Sequence, residues 1–445
     1  MGAFHAYDIR GIYGQDVSTD LAYALGRAFA VFINKDAILV GYDARLYSKQ
    51  LYDSVIEGLL DEGVNVIGIG LSSTPQMHFL QMLQKCGAGI MVTASHNPKE
   101  YHGFKFFDES GGSVSYAKGL NKIEEMIEHI TEMPKKSRGT LVSGPTMDSY
   151  INFLAAVGNG KKNDLKLVID TANGSSGPVF RKLVERLGLN AVIINEEPDG
   201  NFPNHDPNPL KEESRIQIKE AVLGNNARFG VIMDGDGDRI IFVDEAGKAI
   251  ENYFISALIA EKLLENTPGA SIVYDLISSK VLAAHITNKG GIPEKAKVGY
   301  TFIYDKMVET GAVFGAETSG HVYFKVDDSY YTESAAYAMM IMLSLLSEKN
   351  VPLSELVAPL SAQFYQAKEV NMQVADKSKA LAMIEKTFSD ALIDKLDGVS
   401  VEYPDFWFNV RPSNTEPLLR VRLEGKDKGT ADAALAKIED LLKHV

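Results

Sequence analysis

The chain of 445 residues contains a single cysteine, Cys86, so it cannot form a disulfide within itself. A chain without disulfides suits a reducing compartment. Long apolar runs are also missing. The longest nearly apolar stretch, at 335–346, falls short of the about 20 residues that span a bilayer and predicts a buried helix instead. The opening MGAFHAYDIRG lacks the pattern of a signal peptide. These absences predict a cytoplasmic protein without a membrane span.

Positive charge is scarce as well. Lys and Arg total 45 against 59 Asp and Glu, which gives a formal net charge of -14. Such a surface repels the phosphate backbone of nucleic acids and the face of an anionic membrane, so neither partner is expected. An enzyme that acts on anionic substrates would therefore have to place its cations together at one site.

Short β-branched runs alternate with segments of helical period through most of the chain, which predicts an α/β fold. The predicted strands lie at 37–43, 64–70, 88–95, 165–174, 190–196, 229–239, 271–275 and 312–321. Several of them end in a polar loop, where open α/β sheets carry function. We expect three related mixed α/β domains and a C-terminal α+β domain around a central cleft, with the ranges 1–143, 144–248, 249–360 and 361–445.

The segment DGDGDR places Asp234, Asp236 and Asp238 at alternate positions directly after an apolar strand. Carboxylates this close repel one another unless a hard cation lies among them, and oxygen ligands suit magnesium. A solvated acidic turn is the ordinary alternative. An EF-hand with Glu245 as its last ligand is another, but that loop needs glycine where Arg239 stands and helices on both sides. The pattern favours a magnesium site.

The segment TASHNP, at 93–98, places Ser95 beside His96 and Asn97 on what we expect to be an exposed loop. A serine in this setting can accept a phosphoryl group. Taken alone, the segment fits a capped turn at least as well. The acidic loop favours phosphoryl transfer, because a phosphoserine needs a cation nearby.

In AETSGH, Glu317, Ser319 and His321 alternate and would share one side of an extended segment. Glutamate and serine suit sugar hydroxyls, and the histidine is a candidate proton carrier near neutral pH. An edge strand with a solvated polar face is an equal alternative.

The segment RPSNTEP offers Arg411, Ser413, Asn414 and Thr415 as a phosphate cradle or as an ordinary polar hairpin loop. Arg10 and Lys105 are cations in nearly uncharged settings, for which an ion-paired surface position is the default interpretation.

The order AYDIRG, TASHNP, DGDGDR, AETSGH and RPSNTEP resembles the α-D-phosphohexomutases, and most closely their bacterial phosphomannomutase/phosphoglucomutase branch. The resemblance covers nearly the whole chain and includes PDGNFPNHDPNP at 198–209. It implies a heart-shaped molecule of four domains, each of which contributes a loop to one cleft.

The resemblance also implies roles. Ser95 carries the phosphoryl group, and this group binds Mg²⁺ together with Asp234, Asp236 and Asp238. The cations implied near the proton-transfer and phosphoryl-transfer steps are Arg10, Lys105 and His321. The implied substrate-binding residues are Tyr7, His96, Arg239, Glu317, Ser319, Arg411, Ser413, Asn414 and Thr415.

The implied reaction interconverts hexose 6-phosphate and hexose 1-phosphate, of mannose or glucose or both, through a bound hexose 1,6-bisphosphate. Glucose 1,6-bisphosphate or mannose 1,6-bisphosphate is the expected activator, and the expected state is a monomer or weak dimer. The alternatives are a phosphoglucosamine mutase, against which the AYDIRG opening argues, a magnesium-dependent sugar-phosphate phosphatase and a catalytically silent binder. Departures from the family pattern at Ile277, Tyr300, Ala316 and Thr332 leave the preferred sugar open.

Overall fold

In a computed structural model of the chain, residues 2–130, 132, 134–157, 164–328, 330–412 and 418–443 are described. Four sheets follow one another along this part of the chain, and each is built from its own stretch of sequence. The predicted fold of three α/β domains and a fourth, C-terminal α+β domain is thereby confirmed, while the predicted boundary positions stay predictions.

The first domain is a six-stranded sheet in the order β1-β5-β4-β2-β3-β6. Strands β2, β3 and β4 pair in parallel, and β5 runs antiparallel to β1 and β4. Its elements are β1 (Ile9–Ile12), α1 (Thr19–Ile33), β2 (Ala37–Tyr42), α2 (Ser48–Asp61), β3 (Asn65–Leu71), α3 (Thr74–Gln84), β4 (Ala88–Val92), β5 (Tyr101–Phe107), α4 (Leu120–Ile130) and β6 (Leu141–Ser143).

The second domain is a four-stranded sheet in the order β10-β9-β7-β8, in which only β10 pairs antiparallel. Its elements are α5 (Asp148–Val157), β7 (Leu167–Asp170), α6 (Gly177–Leu187), β8 (Ala191–Ile194), α7 (Ile216–Asn225), β9 (Phe229–Met233) and β10 (Ile240–Asp244).

The third domain is a five-stranded sheet in the order β12-β11-β13-β14-β15. Its elements are α8 (Asn252–Leu264), β11 (Ser271–Asp275), α9 (Lys280–Asn288), β12 (Ile292–Ala296), α10 (Tyr300–Thr310), β13 (Phe314–Ala316), β14 (Val322–Lys325), β15 (Tyr331–Glu333), α11 (Ala335–Lys349) and α12 (Leu353–Ser361). The buried helix predicted at 335–346 is α11, whose residues are mostly inaccessible and join a core cluster that extends through the first three domains.

The fourth domain is an antiparallel sheet in the order β16-β21-β20-β19-β18, with β17 also paired to β21. Its elements are β16 (Tyr365–Gln366), β17 (Val370–Gln373), α13 (Lys377–Thr387), β18 (Leu392–Asp394), β19 (Val399–Glu402), β20 (Phe406–Pro412), β21 (Leu418–Gly425) and α14 (Lys428–Leu442).

In the first three domains a buried apolar strand ends in one of the polar loops. The loop after β4 carries Ser95, the loop after β9 carries the three aspartates, and the loop after β13 carries Glu317. Each of these strands is almost entirely buried, since its side chains pack against helices, and this burial fixes the point at which the loop emerges. Among the described residues, no helix combines the length and the apolar character needed to cross a membrane.

Candidate active site

Strand β4 ends at Val92, and the chain then turns sharply to present Ser95. The Ser95 backbone is left-handed, with φ of 49°, and its N–H donates to Thr93 Oγ1 over 2.8 Å. The Ser95 hydroxyl donates to Asp234 Oδ2 over 3.0 Å and lies 3.2 Å from His96 Nδ1. The predicted nucleophile and the predicted metal loop therefore touch, although 139 positions separate Ser95 from Asp234.

The expectation that Ser95 lies on an exposed loop is wrong. The residue is 1% exposed. The loop after β9 covers it so closely that a Cβ at Gly235 would lie 2.8 Å from the Ser95 carbonyl oxygen. Turn residues are exposed when a loop faces solvent, but here a second domain packs on the loop.

The three aspartates converge as predicted. One oxygen from each of Asp234, Asp236 and Asp238 lies within 4.8 Å of the others, and all three residues are buried. Asp234 Oδ1 also accepts from the backbone N–H groups of Gly237 and Asp238, at 3.0 and 3.1 Å. The Asp234 carboxylate thereby stabilises the turn that carries all three aspartates. Strands β9 and β10 flank the loop, and this excludes the EF-hand interpretation.

The carboxylate charges are opposed by Lys105. Its Nζ donates to Asp236 Oδ2 over 2.8 Å and to Asp238 Oδ2 over 2.5 Å. Burial, and then the charges of Asp238 and Asp236, raise the pKa of Asp234 well above its usual range. Burial also acts to raise the pKa of Asp238, but Lys105 and His321 outweigh it and hold that pKa well below its usual range.

The donor set fits a hard divalent cation. Asp236 Oδ1 and Asp238 Oδ1 are buried, and neither has a hydrogen-bond partner among the described residues. A buried carboxylate oxygen without a partner is costly, and a cation bound to oxygen ligands would satisfy both. The cluster can therefore hold a metal ion.

The AETSGH segment is a tight turn between β13 and β14, not the extended segment on which its alternation was predicted. Gly320 N–H donates to the Glu317 carbonyl over 3.1 Å, and Glu317 N–H donates to the His321 carbonyl over 2.9 Å. The turn brings Glu317 Oε2 to 3.2 Å from His321 Nδ1. Ser319 Oγ is buried without a hydrogen-bond partner among the described residues, so it is available to a ligand.

His321 is buried among carboxylates from two domains. Its Nε2 contacts Glu333 Oε2 and lies 3.5 Å from Asp238 Oδ2. Burial lowers the pKa of His321, but Asp238 and Glu333 outweigh it and raise that pKa to about 10. This shift favours the protonated, positively charged form of the imidazole, and the role of His321 as a proton carrier stays a prediction.

Sequence models of four domains match the chain in order. They are described as phosphoglucomutase/phosphomannomutase alpha/beta/alpha domain I over residues 1–134, domain II over 148–247, domain III over 251–364 and C-terminal domain over 369–441. The chain belongs to the phosphoglucomutase/phosphomannomutase family.

Similar proteins agree along the full length. A phosphomannomutase of Methanocaldococcus jannaschii is 39% identical over 99% of this chain and 97% of its own. A solved family member from Burkholderia thailandensis is 32% identical with a TM-score of 0.87, covering 99% of this chain and 96% of its own. The chain is thus a phosphohexomutase, an isomerase that transfers a phosphoryl group within hexose phosphates, as the five motifs predict.

A more distant enzyme shares the fold alone. A structure of the Aspergillus fumigatus N-acetylphosphoglucosamine mutase with GlcNAc-6P and magnesium is 16% identical, with a TM-score of 0.62 over 99% of this chain and 96% of its own. A second structure of that enzyme, 15% identical with a TM-score of 0.60 over 99% and 95% of the two chains, holds glucose 1,6-bisphosphate.

The two isolated cations of the sequence both reach residues around Ser95 and the aspartate loop. Lys105 is 4% exposed. Arg10 donates to Asp8 Oδ2 over 2.7 Å, and through Nη1 to Asn97 Oδ1 over 2.6 Å. The default interpretation of a surface ion pair is wrong for Lys105, which is buried and pairs with aspartates of the second domain, whereas Arg10 is partly exposed and pairs with Asp8, two residues away.

Three further residues predicted to bind substrate are Tyr7, His96 and Arg239. Tyr7 packs edge-on against Tyr300, with ring centroids 5.5 Å apart. Burial, and then the charges of Arg239 and Arg10, lower the pKa of His96 well below its usual range, so that this histidine is neutral. Arg239 forms a β-bridge with His321 and thereby joins the second domain to the third.

The phosphate cradle is described only at its start. Arg411 lies on β20, is 7% exposed and faces Arg420 across the β20–β21 pair. Ser413, Asn414 and Thr415 lie outside the described residues. Their assignment stays a prediction.

Sequence reasoning missed several supporting carboxylates and donors of this phosphohexomutase. Asp275 accepts from Thr318 N–H over 2.7 Å and so holds the turn that bears Glu317. Asp43 accepts from Thr93 Oγ1 over 2.7 Å behind the nucleophile. Both aspartates stand at the carboxyl end of a parallel strand, and this position is the signal that could have found them.

Two third-domain departures are buried structural residues. Ile277, which stands where the family often has lysine, is 6% exposed, and Ala316 is 2% exposed at the end of β13. Tyr300 takes the place of a histidine-containing turn, and its hydroxyl donates to the Tyr7 carbonyl over 2.9 Å. Thr332 precedes Glu333, which pairs with His321. All four departures lie in the third domain, away from the strand that leads to Ser95.

Proposed function

We propose that this phosphohexomutase interconverts the 6-phosphate and 1-phosphate of mannose, glucose or both, with Ser95 as the phosphoryl carrier. One observation supports this most directly: the Ser95 hydroxyl is buried in hydrogen-bond contact with the aspartate cluster. Phosphoryl transfer depends chiefly on placing the nucleophile and cations around the transferred group.

Asp234, Asp236 and Asp238 are the residues that would hold Mg²⁺ together with the phosphoryl group on Ser95. When bound, Mg²⁺ supplies Lewis-acid stabilisation of the charge on the transferred oxygens. The A. fumigatus enzyme that binds magnesium shares this fold, which supports the choice of metal.

In the proposed forward step, the phosphoryl group leaves Ser95 Oγ for a free hydroxyl oxygen of the hexose phosphate. The P–Oγ bond breaks, a new P–O bond forms to the hydroxyl oxygen on C1 or C6, and the proton of that hydroxyl passes in net terms to Ser95 Oγ, which becomes a hydroxyl again. Lys105 and His321 contribute positive charge beside the transfer point, which offsets the charge that develops on the oxygens.

In the return step the other phosphoryl group of the 1,6-bisphosphate moves back to Ser95. Two acceptors flank the serine hydroxyl and can take its proton: Asp234 Oδ2 at 3.0 Å and the neutral His96 Nδ1 at 3.2 Å. The bisphosphate must bind with either its 1-phosphate or its 6-phosphate at Ser95. A charged side chain can hold the other phosphate in both orientations, and the Arg411 guanidinium is suited to this. The glucose 1,6-bisphosphate complex of the A. fumigatus enzyme supports such a compound as the activator.

Burial of Ser95 favours transfer over hydrolysis. Because the residue is 1% exposed beneath the second domain, water has little access to its phosphoryl group. A sugar-phosphate phosphatase would need that access. A coupled assay with mannose, glucose and glucosamine 1-phosphates, each with Mg²⁺ and hexose 1,6-bisphosphate, separates these functions. Release of inorganic phosphate without isomerisation would contradict the proposal.

The nucleophile is tested by Ser95→Ala. Removing Oγ removes the phosphoryl carrier, so we expect mutase activity to fall by roughly 10⁴-fold or more, as for other enzymes that lose a covalent nucleophile. Intact-mass measurement after incubation with hexose 1,6-bisphosphate should show a phosphorylated wild type and an unmodified variant. Ser214→Ala is the matched control, since Ser214 is buried in the second domain and donates only to the Asp206 carbonyl. A Ser95→Ala enzyme that keeps most of its rate would exclude this nucleophile.

A further inference from the structure

Arg45 holds the backbone of the nucleophile loop, which we define as residues 93–101. Its Nη2 donates to the carbonyls of Ser95 and Asn97 over 2.7 and 2.5 Å. Its Nη1 donates to the carbonyls of Pro98 and Tyr101 over 2.8 and 2.9 Å. One planar guanidinium thereby fixes four carbonyls of a loop that begins about 50 residues later.

Asp43 holds Arg45 and also reaches the serine. Asp43 Oδ2 lies 3.2 Å from Arg45 Nε, and its Oδ1 accepts from Arg45 N–H over 3.0 Å. The same carboxylate accepts from Thr93 Oγ1, and that oxygen in turn accepts from the Ser95 N–H. The carbonyl and the N–H of Ser95 are therefore both tied to the Asp43–Arg45 pair.

The segment 198–209, whose sequence PDGNFPNHDPNP the proposed chemistry does not use, closes over this pair. The Phe202 ring lies 5.2 Å from Arg45 Cζ in a cation–π arrangement. A Cβ at Gly200 would lie 2.4 Å from the backbone nitrogen of Leu46, so the second domain approaches the Arg45 turn without room for a side chain.

We propose that Arg45 is a positioning residue, covered by Phe202, that keeps Ser95 in its left-handed conformation and its Oγ against the aspartate cluster. The inference rests on the proposed role of Ser95. A serine with positive φ is strained and persists only where its surroundings determine it. Lysine cannot replace Arg45, because its ammonium group lacks the planar arrangement of N–H donors with which the guanidinium bonds four carbonyls.

The test is Arg45→Lys in the full-length enzyme with Mg²⁺ and hexose 1,6-bisphosphate. A displacement of the nucleophile by about 1 Å lowers turnover by about 10²-fold, so we expect kcat to fall on that order while KM for the hexose phosphate changes less than about twofold. The rate at which Ser95 gains a phosphoryl group from the bisphosphate, followed by intact mass, should fall by a similar factor.

Arg27→Lys is the matched control. Arg27 is 1% exposed in the same domain and pairs with Glu62 over 2.6 Å, away from the nucleophile loop. We expect this variant to lose thermal stability and keep kcat. If Arg45→Lys keeps wild-type kcat, or loses activity only in proportion to a loss of folded protein as Arg27→Lys does, the positioning role is excluded.

A second variant covers the case in which Arg45→Lys does not fold. Phe202→Leu removes the aromatic cover and keeps the four hydrogen bonds. We expect kcat to fall by about threefold to tenfold, which corresponds to the free energy of about one cation–π contact. A folded Phe202→Leu enzyme with unchanged kcat would count against the proposal. An incorrect assignment of Ser95 can be told apart from an incorrect role for Arg45, because it would give an active Ser95→Ala enzyme.

Discussion

Asp236 binds its two protein donors through one oxygen. Its Oδ2 accepts from Thr74 Oγ1 over 2.6 Å and from Lys105 Nζ over 2.8 Å, whereas its Oδ1 has no partner among the described residues. One oxygen of the carboxylate is thus bound to the first domain, and the other is available to a cation. This division makes Asp236 the most informative of the three aspartates for substitution.

We predict that Asp236→Asn loses Mg²⁺-dependent turnover. The amide keeps the side-chain volume but removes the charge, so the Mg²⁺ concentration for half-maximal activity should rise by more than about tenfold. Loss of a group that merely orients a metal ligand already lowers metal affinity by about that factor. Asp244→Asn is the control, because Asp244 is buried in the same domain and accepts from backbone N–H groups at 3.0 and 2.8 Å. Coincident Mg²⁺ titration curves for Asp236→Asn and wild type would refute the assignment.

At the scale of elements, the segment 198–209 is fastened to β7 by His205. Its Nε2 lies 3.1 Å from Asp170 Oδ2, and its Nδ1 lies 2.9 Å from the Asp206 carbonyl oxygen. Both neighbours are acceptors, so only the protonated imidazole satisfies both. Burial lowers the pKa of His205, but the hydrogen bond and charge of Asp170 outweigh it, and the net shift is upward.

We predict that this contact stabilises the enzyme most at low pH. The folded pKa of His205 lies above the unfolded value of about 6.5, so its contribution is complete below pH of about 6.5 and is lost as pH rises through the folded pKa. The difference in Tm between wild type and His205→Gln should be a few degrees near pH of about 6 and smaller at pH of about 8, as measured by calorimetry. A difference that stays constant over this range would show that charge is not involved.

At the scale of the whole molecule, tyrosine hydroxyls join the third domain to the first. Three of them donate to backbone carbonyls of the first domain: Tyr300 to Tyr7 over 2.9 Å, Tyr304 to Ser110 over 2.6 Å and Tyr330 to His78 over 2.5 Å. The contact also brings helix α3 against β15, which carries Glu333. The relative placement of Lys105 and His321 thus depends on it.

We predict that Tyr330→Phe weakens this contact. Tyr330 is 4% exposed, so the variant removes one buried hydrogen bond to the His78 carbonyl, which keeps its place within α3, at a cost of about 0.5–1.5 kcal/mol. Thermal unfolding should begin earlier, with a midpoint lowered by a few degrees. Tyr253→Phe, a buried change on α8 within the third domain, should have a smaller effect. Equal shifts in the two variants would show that the interdomain hydroxyl has no special role.

The features that the sequence predicted correctly are local. Strands such as β4 and β9 and the buried helix α11 follow from runs of apolar residues, and the aspartates converge because alternate positions and intervening glycines allow one turn to gather them. The features it missed join distant positions. Arg45 reaches a loop about 50 residues away, and Tyr330 reaches the His78 carbonyl 252 positions earlier.

The sequence by itself determined the four-domain α/β architecture, the family and the residue types available for phosphoryl transfer, because hydrophobic period and motif order are properties of consecutive residues. Only the tertiary structure decided that Ser95 is buried and that His321 lies among the carboxylates of Asp238, Glu317 and Glu333. Burial and the fields of neighbouring carboxylates arise when separate domains pack together, and no single segment of the chain contains them.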